Sequence, residues 1–331
     1  MCIRDSTNAV PSSILIFSLI LFLVGAGCQH REQEAVEAKK LSVVTTLFPL
    51  YDFTKNIAGS KARVTLLMPP GVEAHSFEPK AGDVLKVNNA DVFVFTGQYM
   101  EPWAYGLLRG VDKRELVVVD ASKGITLEEG KQEHGDHKDE KGEKDRTGGS
   151  HAHGKIDPHI WLDLANAQKM VANILGALLT VDPDNKDFYR KNADAYIMKL
   201  ADLDARYKKG LFACKKNIFV HGGHFAFNYL AKRYNLRYIS AYPGSPDTEP
   251  SPWQIISLKK KIRENHIQYV YYEELIAPRM ANILAKETGA RLLRLHGAHN
   301  ISKEDFEKGV SFLSIMEENL KNLKVGLECQ Q

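Results

Sequence analysis

Cysteine is scarce in this chain. There are four in 331 residues, and none has a cysteine neighbour at the short spacing that zinc fingers and ribbons need. Excess charge is missing too. Lys and Arg number 44 against 41 Asp and Glu, a formal net charge of +3, and no basic stripe stands out, so nucleic acid is not the partner. Long apolar runs are also lacking. Ile14–Val24, ILIFSLILFLV, is too short to cross a bilayer comfortably. No His-Glu-x-x-His string or other zinc-enzyme signature occurs. What remains is ordinary for a soluble globular protein: 44% hydrophobic and 26% charged residues, with length enough for two domains.

Ile14–Val24 fits the apolar core of a signal peptide, and Val-Gly-Ala-Gly-Cys follows it. That ending resembles a bacterial lipobox, with Gly25 where a Leu-like residue is usual. The reading is a signal peptide over 1–27, a lipidated Cys28, and a charged tether over 28–40. A plain secretory signal cut near Gly27 is the alternative. Either way the mature chain is exported, periplasmic or cell-surface, and in the first reading the lipid anchor holds it to a bacterial membrane. Cysteines outside the cytoplasm tend to oxidise. With Cys2 and Cys28 discounted, Cys214 and Cys329 are expected to form a disulfide.

The globular part opens at Leu41. Short apolar strands are expected at Leu41–Phe48, Val64–Met68, Val92–Thr96 and Leu116–Val119. A helical segment, Lys80–Asn88, precedes the third. Continuous apolar strands alternating with helices imply a parallel sheet covered on both faces. Residues 127–154 break the pattern. They carry almost no apolar side chain and cannot offset their ordering entropy, so they read as a disordered loop inside the first lobe. His134, His137, His151 and His153 lie in it, and histidine at this density suggests a weak metal-collecting tract.

Helical periodicity returns over Asp163–Leu179, and Asp182-Pro183 ends it. A long polar helix follows at about 185–210, with Phe188, Tyr196, Leu200, Leu203 and Tyr207 forming one apolar stripe. Such a helix suits a connector between lobes. A second series of strands (Ile218–Val220, Leu236–Ser240, Ile267–Tyr272, Arg291–Leu295) and helices then occupies 211–331. The fold expected is α/β: two Rossmann-like lobes with parallel-rich sheets, at 41–184 and 211–331, joined by the single long helix. Sites in such sheets gather at the carboxyl ends of strands, which places chemistry in the interlobe cleft.

Four isolated histidines occupy loop or strand-end positions: His75 after Val64–Met68, His159 ahead of a helix, His224 after Ile218–Val220, and His299 after Arg291–Leu295. Each half of the chain holds one pair. Imidazole nitrogen favours zinc over magnesium or calcium, and four nitrogens satisfy tetrahedral zinc. A single histidine is more often a surface or hydrogen-bonded residue, so the weight rests on their equivalent placement.

The strings around them are Pro-Gly-Val-Glu-Ala-His-Ser-Phe-Glu-Pro, Asp-Pro-His-Ile-Trp-Leu-Asp, His-Phe-Ala-Phe-Asn-Tyr-Leu-Ala-Lys-Arg-Tyr and Glu-Pro-Ser-Pro. In this order they resemble the zinc- and manganese-specific solute-binding lipoproteins of ABC transporters, over nearly all of residues 41–323. The resemblance implies a monomeric zinc-binding receptor with one tight site that delivers its ion to an importer's membrane permease. It puts ligands at His75, His159 and His224. An acidic residue at the third position marks manganese members, so histidine there implies zinc; manganese or iron remains the alternative cargo. The fourth ligand in the family is usually Asp or Glu, and here the matching position is His299. His296, or Glu273 or a water, competes for that role. His221 reads as an outer support or a satisfied strand histidine, and Glu273, with Glu274, as an orienting carboxylate or a surface one. A zinc hydrolase and a surface adhesin are the other function classes; four protein ligands leave no open position for hydrolytic water, and nothing marks an adhesive surface. No catalytic residue is expected.

Overall fold

The computed structural model of the chain describes residues 40–112, 115–130, 156–242 and 250–330. The signal peptide, Cys28, nearly all of the tether, and His134, His137, His151 and His153 lie outside the described residues.

The first lobe begins with strand β1 (Leu41–Thr45), which is shorter than the sequence suggests. Pro49 sits in the first turn of helix α1 (Phe48–Ala58), where its missing N–H leaves no hydrogen bond unmade, so the chain turns helical before the apolar run ends. Strand β2 (Ala62–Leu66), helix α2 (Ala81–Asn88), strand β3 (Val92–Phe95), helix α3 (Ala104–Arg109) and strand β4 (Val117–Asp120) follow. Helix α4 (Leu164–Val181) starts at Asp163, whose carboxylate accepts the N–H groups of Ala165 and Asn166 as an N-cap.

Helix α5 (Lys186–Phe212) is the connector. Its 27 residues reach about 40 Å at 1.5 Å per residue. Tyr189, Ala193, Tyr196, Leu200, Leu203, Tyr207 and Leu211 make its buried stripe. Tyr189 takes the place the sequence pattern assigns to Phe188, which is only half-buried and lies under Gly59.

The second lobe repeats the plan with β5 (Ile218–His221), α6 (Asn228–Arg233), β6 (Arg237–Ser240), α7 (Pro252–Glu264), β7 (Tyr269–Tyr272), α8 (Arg279–Thr288) and β8 (Arg291–Arg294), then α9 (Lys303–Glu307) and α10 (Phe312–Gly326). Strand orders are β2-β1-β3-β4 and β6-β5-β7-β8, the same permutation twice. All pairings within these sheets are parallel. In each sheet the order reverses beside its first strand, and loops leaving the carboxyl ends there open a crevice.

One apolar core runs through both lobes, from Val43 to Leu327, with α5 inside it. Helix α10 returns to the first lobe, where Phe312 meets Phe53 edge-on at 4.9 Å. Tyr207 donates its hydroxyl to the Met316 carbonyl, and Tyr196 donates to the Asp52 carboxylate at 2.8 Å. Cys214 and Cys329 are joined by a disulfide that ties the start of the second lobe to the chain's end.

Candidate metal centre

Loops from both sheets converge on four histidines. His75 lies between β2 and α2. His159 precedes the single helical turn Ile160–Leu162 that leads into α4. His224 follows β5, and His299 follows β8. Their Nε2 atoms face one another: His75 to His159 at 3.2 Å, His159 to His224 at 3.2 Å, and His224 to His299 at 3.4 Å. One nitrogen from each ring can be chosen so that all lie within 4.8 Å of one another. A tetrahedron with zinc–nitrogen bonds of about 2.0–2.1 Å has edges of about 3.3–3.4 Å. The three spacings, half of the six edges, are close to that figure, so the four rings are gathered as the donors of one ion would be.

Local sequence explains the convergence. The residues before His224 are Gly222 and Gly223, and neither can carry a side chain. A Cβ on Gly223 would stand 2.1 Å from the Glu273 carboxylate, and one on Gly222 would stand 2.6 Å from Ala281 backbone. The His299 loop is clamped to the first lobe. Phe48 donates its N–H to the His299 carbonyl at 3.1 Å. The Asn300 amide reaches the carbonyls of Pro69 and Val72, both at 2.8 Å. Trp161, from the Asp-Pro-His-Ile-Trp string, donates its indole N–H to the Gly297 carbonyl at 2.8 Å.

Three of the four rings are oriented from behind by a buried carboxylate. Asp157 takes both the backbone N–H of His159, at 3.0 Å, and its Nδ1, at 2.7 Å. Glu273 contacts Nδ1 of His224 and also accepts its backbone N–H at 3.1 Å. Glu274 lies 3.2 Å from Nδ1 of His299. Each contact leaves Nε2 as the lone-pair nitrogen, the tautomer a metal requires. Imidazoles that ligate an ion bring no charge of their own, while the layer behind them can hold up to three negative charges against a divalent ion.

Burial dominates the protonation of this cluster. It drives His75 down to about 2, with the His224 and His299 rings adding to the effect. His159 falls well below the usual imidazole range for the same reasons, aided by His75, His224 and His299. His224 moves the other way: burial lowers it, but Glu273 outweighs burial through its charge and hydrogen bond. Glu273 is correspondingly held low, its burial overcome by the His224 charge. Burial lifts Asp157 to about 7, against its bonds to the His159 N–H and to Asn228. Glu274 is buried too, yet His296 and His299 hold it well below its ordinary value.

Three other candidates sit outside the four-ring group. His221 ends β5 fully buried, with Nδ1 3.3 Å from the His224 carbonyl, and burial lowers it to about 4. His296 lies 3.2 Å from Glu274, and its Nδ1 accepts the Ala298 N–H at 2.9 Å. Glu273 backs His224. The orienting carboxylate that sequence reasoning missed is Asp157. Its signal was its place two residues before His159, where a short side chain can reach back to the ring. Glu274 had been grouped with Glu273 and given no ligand of its own.

A family model described as "Zinc-uptake complex component A periplasmic" matches residues 43–326. The high-affinity zinc uptake system protein ZnuA of Bacillus subtilis (strain 168) is 38% identical over 318 residues, covering 96% of this chain and 97% of that protein. The zinc-binding lipoprotein AdcA of Streptococcus pneumoniae is 40% identical over 313 residues; the match takes in 94% of this chain but only 60% of AdcA. The crystal structure of the Zn(II)-bound ZnuA-like domain of Streptococcus pneumoniae AdcA superposes with a TM-score of 0.72 at 37% identity, over 87% of this chain and 99% of that one.

Proposed function

The chain belongs to the family of zinc-uptake complex A components, and from that premise we propose that His75, His159, His224 and His299 bind zinc in the interlobe cleft of an extracytoplasmic receptor. Zinc is its cargo. The receptor hands the ion to the membrane permease of an ABC importer, and lipidated Cys28 holds it at the membrane as a monomer. The lobes 41–184 and 211–331, joined by the helix at 185–210, supply two ligands each. The observation that carries the reading is the run of three Nε2–Nε2 spacings of 3.2–3.4 Å that links the four rings.

Chemistry supports zinc over manganese. All four donors are borderline nitrogen, whereas manganese prefers oxygen. Four protein donors also complete a tetrahedron and leave no position for an activated water, which supports a receptor with no catalytic step. The carboxylates Asp157, Glu273 and Glu274 raise the basicity of the rings they touch and balance the ion's charge.

Metal analysis of the purified mature protein tests the proposal. The expected result is one tightly held zinc equivalent, lost in His159→Ala and His224→Ala, and slow growth in zinc-poor medium when the gene carries either change. Retention of the equivalent in both variants would refute the ligand set.

A further inference from the structure

Helix α6 follows the His224 loop directly, and its side chains cross to the first lobe. Tyr229 accepts the backbone N–H of Glu128 on its hydroxyl at 2.8 Å. Lys232 pairs with the Glu128 carboxylate at 2.6 Å. Arg233 contacts Asp163, the N-cap of α4, at 3.0 Å, while also holding Asp204 on α5 at 2.6 Å. One short helix therefore touches both lobes and the connector.

Glu128 is placed where this matters. Residues 127–130, assigned by composition to the polar insert, belong to the folded lobe: Leu127 packs on the core, and Glu129 forms an antiparallel bridge with Ile156. The Glu128 carbonyl accepts the Asp157 N–H at 2.9 Å. Asp157 in turn holds the ring and backbone of His159. The chain of contacts runs from Tyr229 through Glu128 and Asp157 to a ring of the metal centre, and every step is a hydrogen bond.

We propose that Tyr229 is a positioning residue for zinc retention: by fixing Glu128 across the cleft it holds Asp157, and through Asp157 the His159 ring, in the geometry that keeps the ion bound. The inference rests on His159 being a zinc ligand. His159→Ala tests that reading separately, so the two can fail independently. The energetic logic is direct. The Tyr229 hydroxyl is the partner of an N–H that lies at the foot of the insert, and removing it leaves that donor without its acceptor. The pair Glu128–Asp157 is then free to shift, and a small displacement of Asp157 turns the imidazole away from the ion.

The test is a double-mutant cycle in the full mature chain, read as the zinc off-rate into excess chelator and as the visible spectrum of the cobalt(II)-substituted protein. Tyr229→Phe is expected to release zinc roughly three- to tenfold faster, as loss of one hydrogen bond predicts, with the on-rate unchanged and the cobalt bands altered. In an Asp157→Asn background the same change should accelerate release less than about twofold, because the carboxylate through which it acts is already gone. A lowered melting temperature with wild-type off-rate and cobalt spectrum would show that Tyr229 only packs, and overturn the proposal. A full-sized effect in the Asp157→Asn background would overturn the route through Asp157. If Tyr229→Phe does not fold, Glu128→Gln, which weakens the Lys232 ion pair that holds the same residue from the same helix, enters the cycle in its place with the same two deciding outcomes.

Discussion

Glu273 grips His224 at two points, with one carboxylate oxygen on the backbone N–H at 3.1 Å and the other on ring Nδ1. A ring held this way has neither its tautomer nor its angle left to chance. Replacing Glu273 by Gln keeps the shape and removes the charge. Zinc affinity should fall by about 10–100-fold, the usual cost of losing an outer partner of a ligating histidine. Competition titration against a chelator measures it. An unchanged affinity would mean that the Gly222-Gly223 turn alone aims the ring.

His299 and His296 separate the two candidates for the fourth ligand. His299 points Nε2 at His224 across 3.4 Å, whereas His296 accepts the Ala298 N–H and stands by Glu274. His299→Ala should weaken zinc binding by at least tenfold, and His296→Ala by far less. His299→Glu would restore the carboxylate expected from relatives and should raise manganese affinity relative to zinc, since it adds an oxygen donor and a negative charge. The reverse order of the two alanine variants would move the fourth ligand to His296.

The insert makes a third case. Deleting residues 131–155 with a short linker, while keeping Glu129 and Ile156 and their bridge, should leave the tight zinc equivalent intact. Only weaker sites, contributed by His134, His137, His151 and His153, should disappear from an isothermal titration. Loss of the tight equivalent would mean that the insert itself supplies a ligand.

Strands and the four clustered histidines were legible in the sequence because each carried a local signal. Val92–Phe95 is one apolar run and is buried throughout; His75, His159, His224 and His299 sit in loops that leave strands or lead into helices, where open sheets place their sites. Short amphipathic helices were not legible. α3 spans only Ala104–Arg109, too few residues for a period to emerge, and α1 hides in a β-rich run that Pro49 converts to helix. Asp157 was missed for a different reason. Its role depends on the turn that folds it back onto His159, and nothing in a composition scan marks a carboxylate that will be buried.

The disulfide yields a stability prediction. Cys214 and Cys329 are 115 residues apart, so the bond closes a long loop and restrains the unfolded chain strongly. Replacing both by Ser should cost about 2–5 kcal/mol and leave zinc affinity nearly unchanged, because the bridge ties the base of α10 and lies away from the four rings. Thiol titration of the oxidised mature protein should find neither residue reactive. Two titratable thiols would refute the bond.

Proton competition should report on His224 and not on His75 or His159. Burial holds His75 near 2, and it keeps His159 well below the imidazole range, so these rings are already neutral at any pH where the protein is used. His224 is the exception: although burial lowers it, the Glu273 carboxylate raises it above the ordinary imidazole value. Zinc must displace a proton from its Nε2 whenever the pH lies below that raised value. Affinity is therefore expected to be flat at alkaline pH and to fall by about tenfold per pH unit once the pH drops through the His224 value, which lies above the free-imidazole figure near 6.5. The metal-free protein should show the opposite trend. A folded-state value above the unfolded one means that the His224–Glu273 ion pair adds stability below pH 6.5, and that this stability is lost as pH rises through the folded value. Glu273→Gln removes the cause and should move the affinity midpoint down, while Asp157→Asn should leave the midpoint in place. The measurement is the zinc dissociation constant from pH 5 to 9 in wild type and both variants. A wild-type midpoint at or below 6.5, or a slope of two or more protons, would show that a ring other than His224 takes up the competing proton.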